Sequence, residues 1–343
     1  MRITFALPAD NRSGGVRVTA IMGNLLLDKG HIVRIIYPRR KVTLTRMIKT
    51  CVYSKSNSGW LHTFKGKIET FFNINDLHFQ PGEIVLAVGT YMVPFVYQID
   101  NKYIIKVRYN HGLPVDLNVR INSDWTYLKC WTVPMRTITV SNSLVPKLKK
   151  LTKRPVDMVV PNGIYTSDYF PENRVRNGIC AVYSPHPNKA PKDLIKILQT
   201  FHKNNSDIKQ YVFSENSRPA ELTHAFYHRL PSLSKTRELY NRSRMFILPS
   251  YNEGLPGTVL EAMACGCVVV SSDNEGSLEI IRDGYNGFIC PKGNVERFVK
   301  TIEKTYNDEQ LLSVIKKNQL ETVRSFSWSE AANKMQEFLE TIN

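Results

Sequence analysis

The chain of 343 residues lacks the marks of several protein classes. Its six cysteines, at 51, 130, 180, 265, 267 and 290, form no CxxC pair and have no nearby histidine at zinc-ligand spacing. That excludes a disulfide framework and a zinc module and suits reduced thiols in a cytosolic protein. Cys265 and Cys267 read as packing at a helix–strand junction. The longest apolar stretch, Ile84 to Tyr97, is too short to span a bilayer and is broken by Gly89 and Pro94. The opening Met1-Arg2-Ile3-Thr4-Phe5-Ala6-Leu7-Pro8 is strand-like, not a secretory signal. No GxGxxG follows that strand, which disfavours an NAD site. One half is also short of acidic charge. Residues 1–163 hold 24 Lys+Arg against 9 Asp+Glu, whereas residues 164–343 hold 22 against 21, so nearly all of the net +16 lies in the first half. Such a half attracts polyanions: a membrane surface with anionic lipid, nucleic acid or a phosphorylated acceptor.

What is present is an alternation of strand and helix. Residues 2–7 and 31–37 read as strands, and 14–30 between them carries helical periodicity at Val18, Ile21, Leu25 and Leu26. This βαβ opening predicts a parallel sheet. Further strands are expected at 84–88, 103–107, 137–140 and 158–160, the last ending at the turn Pro161-Asn162-Gly163. The second half repeats the pattern, with strands at 178–183, 210–213, 244–248, 268–271 and 288–289. Its helices are expected at 192–202, 234–241, 258–264, 278–281, 295–306, 309–326 and 330–342. The expected architecture is α/β, with two Rossmann-like doubly wound domains facing across a cleft. Residues 39–75 interleave Arg39, Arg40, Lys41, Arg46, Lys49, Lys55, Lys65 and Lys67 with Leu44, Met47, Ile48, Val52, Trp60, Leu61 and Phe64. They read either as a solvated helical face or as a basic amphipathic surface for anionic lipid.

The most informative stretch runs from Pro249-Ser250 through Glu253-Gly254-Leu255-Pro256-Gly257-Thr258 to Glu261. Met245-Phe246-Ile247-Leu248 reads as a buried parallel strand, and Pro256 and Gly257 suit the loop and first turn of the helix that follows. A strand feeding a tight turn and a helix N-terminus directs free N–H groups and the positive end of the helix dipole at a ligand. A carboxylate on the lip of such a site accepts hydrogen bonds from hydroxyls, as on a ribose or a hexose.

This stretch, continued through Ala262-Met263-Ala264-Cys265-Gly266, Val268-Val269-Val270, Gly276, Glu279 and Asp283-Gly284-x-Asn286-Gly287-Phe288, resembles the family 4 retaining glycosyltransferases of the GT-B fold. The resemblance implies an N-terminal acceptor-side domain over 1–165, a nucleotide-sugar domain over 166–326, and a C-terminal helix over 327–343 that crosses back to the first domain. It further implies that Glu261 holds the ribose hydroxyls and Glu253 those of the donor sugar. Gly254, Leu255, Pro256, Gly257 and Thr258 then surround the donor. Ser13-Gly14-Gly15-Val16-Arg17 follows the first strand and is similar to the family's diphosphate-touching glycine loop, which assigns Gly14, Gly15, Val16 and Arg17 to the donor. His111, just past the end of a strand in Asn110-His111-Gly112, is similar to the family's active-site histidine near the sugar. Lys189 matches the lysine that neutralises the leaving diphosphate. Two departures stand out: the usual arginine falls near Ser184, and the glycine after the lysine is Ala190. Lys192, His186 or Arg17 could supply the missing cation. Pro161-Asn162-Gly163-Ile164 resembles the turn before the second domain, with Tyr165 in place of the usual acid or amide. Gly276-Ser277-Leu278-Glu279 resembles a structural Gly-x-Pro-Glu turn.

The expectation is thus a retaining glycosyltransferase that needs no metal and no DxD motif. It would use a nucleotide-diphosphate sugar, UDP- or GDP-linked, as co-substrate and transfer a hexose-type sugar to a glycan or lipid-linked acceptor of the cell envelope. It would lie in the cytoplasm or peripherally on the inner face of the plasma membrane. Two other readings follow from the same residues. The basic charge suits a nucleic-acid-binding or nucleic-acid-glucosylating protein, although no recognition helix or RNA-binding signature is present. The missing arginine suits a non-catalytic sugar-nucleotide sensor.

Overall fold

The computed structural model describes residues 1–39, 59–113 and 118–343. Much of the basic stretch read above as either a solvated helical face or a lipid surface, residues 40–58, lies outside the described residues. Contacts divide the chain into two compact units, Met1–Pro161 with Ser329–Asn343, and Asn162–Trp328.

The first unit opens with β1 (Arg2–Ala6), α1 (Gly14–Asp28), β2 (Ile32–Pro38), β3 (Lys67–Phe71) and β4 (Ile84–Val88). It continues with α2 (Val93–Tyr97), β5 (Ile105–Asn110), α3 (Tyr127–Thr132), β6 (Arg136–Thr139), α4 (Val145–Thr152) and β7 (Met158–Val159). The strands form one parallel sheet in the order β3-β2-β1-β4-β5-β6-β7. β4 reads Ile-Val-Leu-Ala-Val and is buried throughout, as a strand covered on both faces requires. One core cluster joins Val85 and Ala87 to Met92, Val93, Val96, Cys130 and Trp125 on one side of the sheet. Arg108 on β5 is buried, and no ion pair joins it to a carboxylate among the described residues. It donates instead to Thr137 Oγ1 and to the carbonyls of Cys130 and Val133 at the C-terminal end of α3, where the helix dipole favours a cation.

The second unit holds β8 (Gly178–Val182), α5 (Pro191–Asn204), β9 (Lys209–Ser214), β10 (Phe226–Arg229), α6 (Leu233–Arg242) and β11 (Ser243–Leu248). These are followed by α7 (Gly257–Ala264), β12 (Val268–Ser272), α8 (Glu275–Leu278), β13 (Phe288–Cys290), α9 (Val295–Thr305) and α10 (Glu309–Arg324). Its parallel sheet runs β10-β9-β8-β11-β12-β13. The order is that of the first sheet, outward from β8 in both directions. The last helix, α11 (Trp328–Ile342), belongs by its contacts to the first unit, where Lys29 Nζ donates to Asn333 Oδ1 at 2.8 Å. No helix among the described residues is long and apolar enough to cross a membrane.

The two chain segments at the edge of the second unit are laced together. Ile164 N donates to Phe326 O at 2.9 Å, and Ile164 bridges Ser327 in parallel. A Cβ at Gly163 would run into the Trp328 backbone, so glycine is needed there. Tyr165 packs its ring on Trp328, with centroids 6.2 Å apart.

Candidate functional site

Each sheet changes direction at one point, between β1 and β4 in the first unit and between β8 and β11 in the second. Open parallel sheets hold ligands beyond the strand C-termini at such points. Most of the residues singled out from the sequence stand there. Gly14 to Arg17 follow β1, Lys189 follows β8, and Glu253 to Glu261 follow β11, whereas His111 follows β5, beside β4.

In the second unit the loops after β8 and β11 are joined. Tyr251 N and Asn252 N both donate to Asn188 O, at 2.8 and 3.3 Å. Lys189 Nζ lies 2.7 Å from each carboxylate oxygen of Glu253. Glu253 is the more enclosed partner, its side chain 9% exposed against 38% for Lys189. Lys189 ends a short 3-10 turn, Pro187–Lys189, and Ala190 then takes a left-handed backbone, φ 48°. A glycine reaches that conformation without cost. His186 Nδ1 accepts from Asn188 N at 3.2 Å, so that nitrogen is engaged within the turn. Ser184, near the position of the missing arginine, accepts through Oγ from His186 N, and Lys192 on α5 is exposed.

The loop after β11 is held from behind. Gly254, Leu255 and Pro256 are buried, and Leu255 O accepts from Asn162 Nδ2 at 3.0 Å. A Cβ at Gly276 would lie 2.6 Å from Gly254 O and 2.9 Å from Glu253 O, so this glycine lets α8 back the loop closely. Ser272 Oγ donates to Ser250 O, and Asn274 Nδ2 to Ser272 Oγ at 3.1 Å. Asn274 Oδ1 caps α8 through Ser277 N, and Ser277 Oγ meets Ser271 Oγ at 2.8 Å. This buried polar network fixes where the chain leaves β11. Ser250 and Ser277 lie in motifs quoted from the sequence, but Ser271, Ser272 and Asn274 do not, because their spacing has meaning only once β11 and β12 are paired. Ser250 Oγ and Asn162 Oδ1 are buried with no hydrogen-bond partner among the described residues.

Gly257 and Thr258, half-buried, begin α7. Pro256 at the N-cap makes no side-chain hydrogen bond to the helix, and it carries no N–H of its own. A Cβ at Gly257 would meet nothing within 4 Å, and the same holds at Gly14 and Gly15. The packing of the protein therefore does not demand glycine at these three positions, in contrast to Gly276 and Gly163. Glu261, 5% exposed, points its Oε2 at the Tyr240 hydroxyl, 3.2 Å away.

In the first unit Val16 is buried on α1, and Arg17 sets its guanidinium over the Trp60 ring at 5.1 Å. Trp60 is tied to the loop after β1, donating from Nε1 to Arg12 O at 2.9 Å. Leu61 and Phe64 are buried, and Gly23 on α1 lies against the Phe64 ring, so these two apolar residues of the 39–75 stretch belong to the core, not to a surface. His111 packs its ring on Tyr109, centroids 4.3 Å apart. Its Nε2 is buried with no hydrogen-bond partner among the described residues, and burial lowers its pKa to about 4. The Tyr109 hydroxyl and Asn110 Nδ2 are also buried without partners.

Among the described residues no group of three or more His, Cys, Asp or Glu is placed to hold a metal ion. The five described cysteines are free and buried, with Cys180 Sγ and Cys267 Sγ 3.9 Å apart.

Two doubly wound parallel sheets, each with its candidate residues at the switch point, define an α/β fold of the GT-B type. Residues 176–322 match the family described as Glycosyl transferases group 1. The chain is 40% identical over 91 residues to the N,N'-diacetylbacillosaminyl-diphospho-undecaprenol alpha-1,3-N-acetylgalactosaminyltransferase of Campylobacter jejuni, covering 26% of this chain and 24% of that one. It is 28% identical over 144 residues to the capsular polysaccharide biosynthesis glycosyltransferase CapM of Staphylococcus aureus, covering 40% and 36%. The chain thus spans between a quarter and somewhat over a third of the length of these curated relatives. Among solved structures, a point mutant of S. aureus TarM, in complex with fondaparinux, alpha-GlcNAc-glycerol and UDP, superposes with a TM-score of 0.76 at 11% identity, covering 99% of this chain and 100% of that one. HepE of Anabaena, in complex with UDP and glucose, does so with 0.74 at 15%, covering 99% and 100%. At such identities the likeness establishes the fold.

Proposed function

We propose that this protein is a retaining glycosyltransferase that moves a hexose-type sugar from a nucleotide-diphosphate sugar to a glycan or lipid-linked acceptor in envelope polysaccharide synthesis. The observation that carries the reading is the Lys189–Glu253 pair beside an uncapped, sterically open helix start at the switch point of the second sheet. A diphosphate needs cationic and N–H donors, and a sugar needs an oriented acceptor; both stand here. Lys189 and the first-turn N–H groups of α7 take the leaving-group charge, Glu253 the sugar hydroxyls and Glu261 the ribose. No step then requires a divalent ion. The UDP in the TarM and HepE structures supports a nucleotide sugar as donor.

On the first unit, His111 serves as a neutral polar group near the sugar, and Gly14, Gly15 and Val16 offer backbone N–H groups to the donor. No carboxylate stands out as a covalent nucleophile. Retention then follows from attack on the leaving-group face, with the departing phosphate taking the acceptor proton. The acceptor is lipid-linked or anionic. The diphospho-undecaprenol in the name of the C. jejuni relative agrees with that, as do exposed Lys147, Lys149, Lys150, Lys153 and Arg154 on and after α4. A cytoplasmic protein bound at the inner membrane face fits this surface.

Thermal-shift titration with UDP-, GDP-, ADP- and TDP-sugars, with and without EDTA, tests the donor. Sugar transfer by wild type, Glu253→Ala and Glu261→Ala tests the site. Stabilisation by one donor regardless of EDTA, with transfer greatly reduced in both variants, is expected. Unchanged turnover in both would defeat the assignment.

A further inference from the structure

We propose that Tyr240 is a positioning residue for Glu261, holding one carboxylate oxygen so that the group meets the ribose hydroxyls in a fixed orientation. This rests on the reading of Glu261 given above.

Tyr240 lies on α6, 21 residues before Glu261 in sequence, and its side chain is fully buried. The ring is fixed on several sides: it meets Phe213 edge-on at 5.5 Å, Phe246 at 5.4 Å and Tyr169 at 6.3 Å. Packing on three sides restrains the buried ring, and its hydroxyl points at α7. There it lies 3.2 Å from Glu261 Oε2 and 3.4 Å from Thr258 O. A phenol has one proton to give, and the carboxylate is the nearer and stronger acceptor. Burial also raises the tyrosine pKa, so the group remains a donor. A carboxylate at the end of a flexible side chain has a broad terminal torsion. A hydrogen bond from a rigid neighbour narrows it and orients the carboxylate, which lowers the ordering cost when a diol binds.

The test uses ligand pairs that differ only in the ribose hydroxyls: UDP against 2′,3′-dideoxy-UDP, and GDP against 2′,3′-dideoxy-GDP. Calorimetric titration of wild type, Tyr240→Phe and Glu261→Gln gives each protein's preference for the hydroxylated ligand. Wild type should prefer the better-bound of UDP and GDP over its dideoxy form by about tenfold or more, and Glu261→Gln should lose most of that. Tyr240→Phe keeps every ring contact and should cut the preference at least about threefold, raising KM for the donor more than it lowers kcat. The preference is a ratio taken on one preparation, so an unfolded fraction cancels from it. Full preference in Tyr240→Phe, with its loss in Glu261→Gln, overturns the inference alone. Full preference in Glu261→Gln, or none in wild type, overturns the ribose reading and the inference with it.

Discussion

Lys189 and Glu253 come from loops that follow different strands, yet the ammonium is 2.7 Å from both carboxylate oxygens. A diphosphate arriving at Lys189 competes with Glu253 for the same ammonium. On the proposed reading, phosphate draws the lysine away and leaves the carboxylate for the sugar hydroxyls. The pair would then keep two opposite charges satisfied in the empty site and release both when the donor binds.

This predicts a split between stability and activity. The pair is more than a third exposed on the lysine side, so Glu253→Gln should change the free energy of unfolding by no more than about 1 kcal/mol. Lys189→Met should cost more, because it strands an enclosed carboxylate. Both should lower kcat/KM by about a hundredfold or more, as for the loss of a transition-state donor at Lys189 and of a hydroxyl acceptor at Glu253. The double variant should lose less than the two single losses combined, because the residues act as a unit. Urea unfolding and initial-rate kinetics on the four proteins check this. Additive losses would mean that the two side chains act separately.

The glycines give a second contrast. Gly276→Ala drives a methyl group into the backbone of Glu253 and Gly254, so it should destabilise the second unit by about 2 kcal/mol and weaken donor binding together. Gly257→Ala meets open space at a helix start and should leave stability unchanged or raise it by up to about 1 kcal/mol. On the proposed reading transfer should nevertheless fall, because the methyl group would occupy space where the donor phosphates are placed. Melting temperature and donor affinity separate the two, and a fully active Gly257→Ala would place the phosphates elsewhere.

Legibility in the sequence followed burial. β4, β11 and β12 are central strands of their sheets: β4 is apolar throughout, and β11 and β12 carry the apolar runs 245–248 and 268–270. β3 and β10 are edge strands with mixed, partly exposed residues, Lys-Ile-Glu-Thr-Phe and Phe-Tyr-His-Arg, and carry no such run. The helix expected at 278–281 begins earlier, at Glu275, because the Asn274 side chain caps it. That outcome was open to a reading that gave Asn-x-x-Ser the weight of an N-cap. The Glu253 and Lys189 loops stand out in the sequence because their polar and glycine residues lie along short stretches, and the structure brings the two loops together. The bonds of Tyr240 to Glu261, of Asn162 to Leu255 and of Ser272 to Ser250 were not legible, because each joins residues far apart in sequence. Ala190 marks a different case. Its departure from glycine was visible, but only its left-handed backbone explains why glycine is the easier residue there.

His111 leads to the last prediction. The residue is half-buried with its Nε2 enclosed, and burial lowers its pKa to about 4, from a usual 6.5. The folded protein then carries a neutral ring across the whole range where most histidines titrate. Between about pH 4 and 6.5 the unfolded chain binds a proton at this site and the folded chain does not. Stability from this residue is therefore complete above pH 6.5 and is lost as the pH falls towards 4, at up to about 1.4 kcal/mol per pH unit. His111→Gln should flatten that part of the stability–pH curve measured by urea unfolding. It should leave the pH profile of any transfer activity without a lost inflection near 6.5, because the neutral ring contributes none. A His111 signal titrating near 6.5 in the NMR spectrum of the folded protein would show a solvated imidazole, and a role as a charged group would then have to replace that of a neutral one.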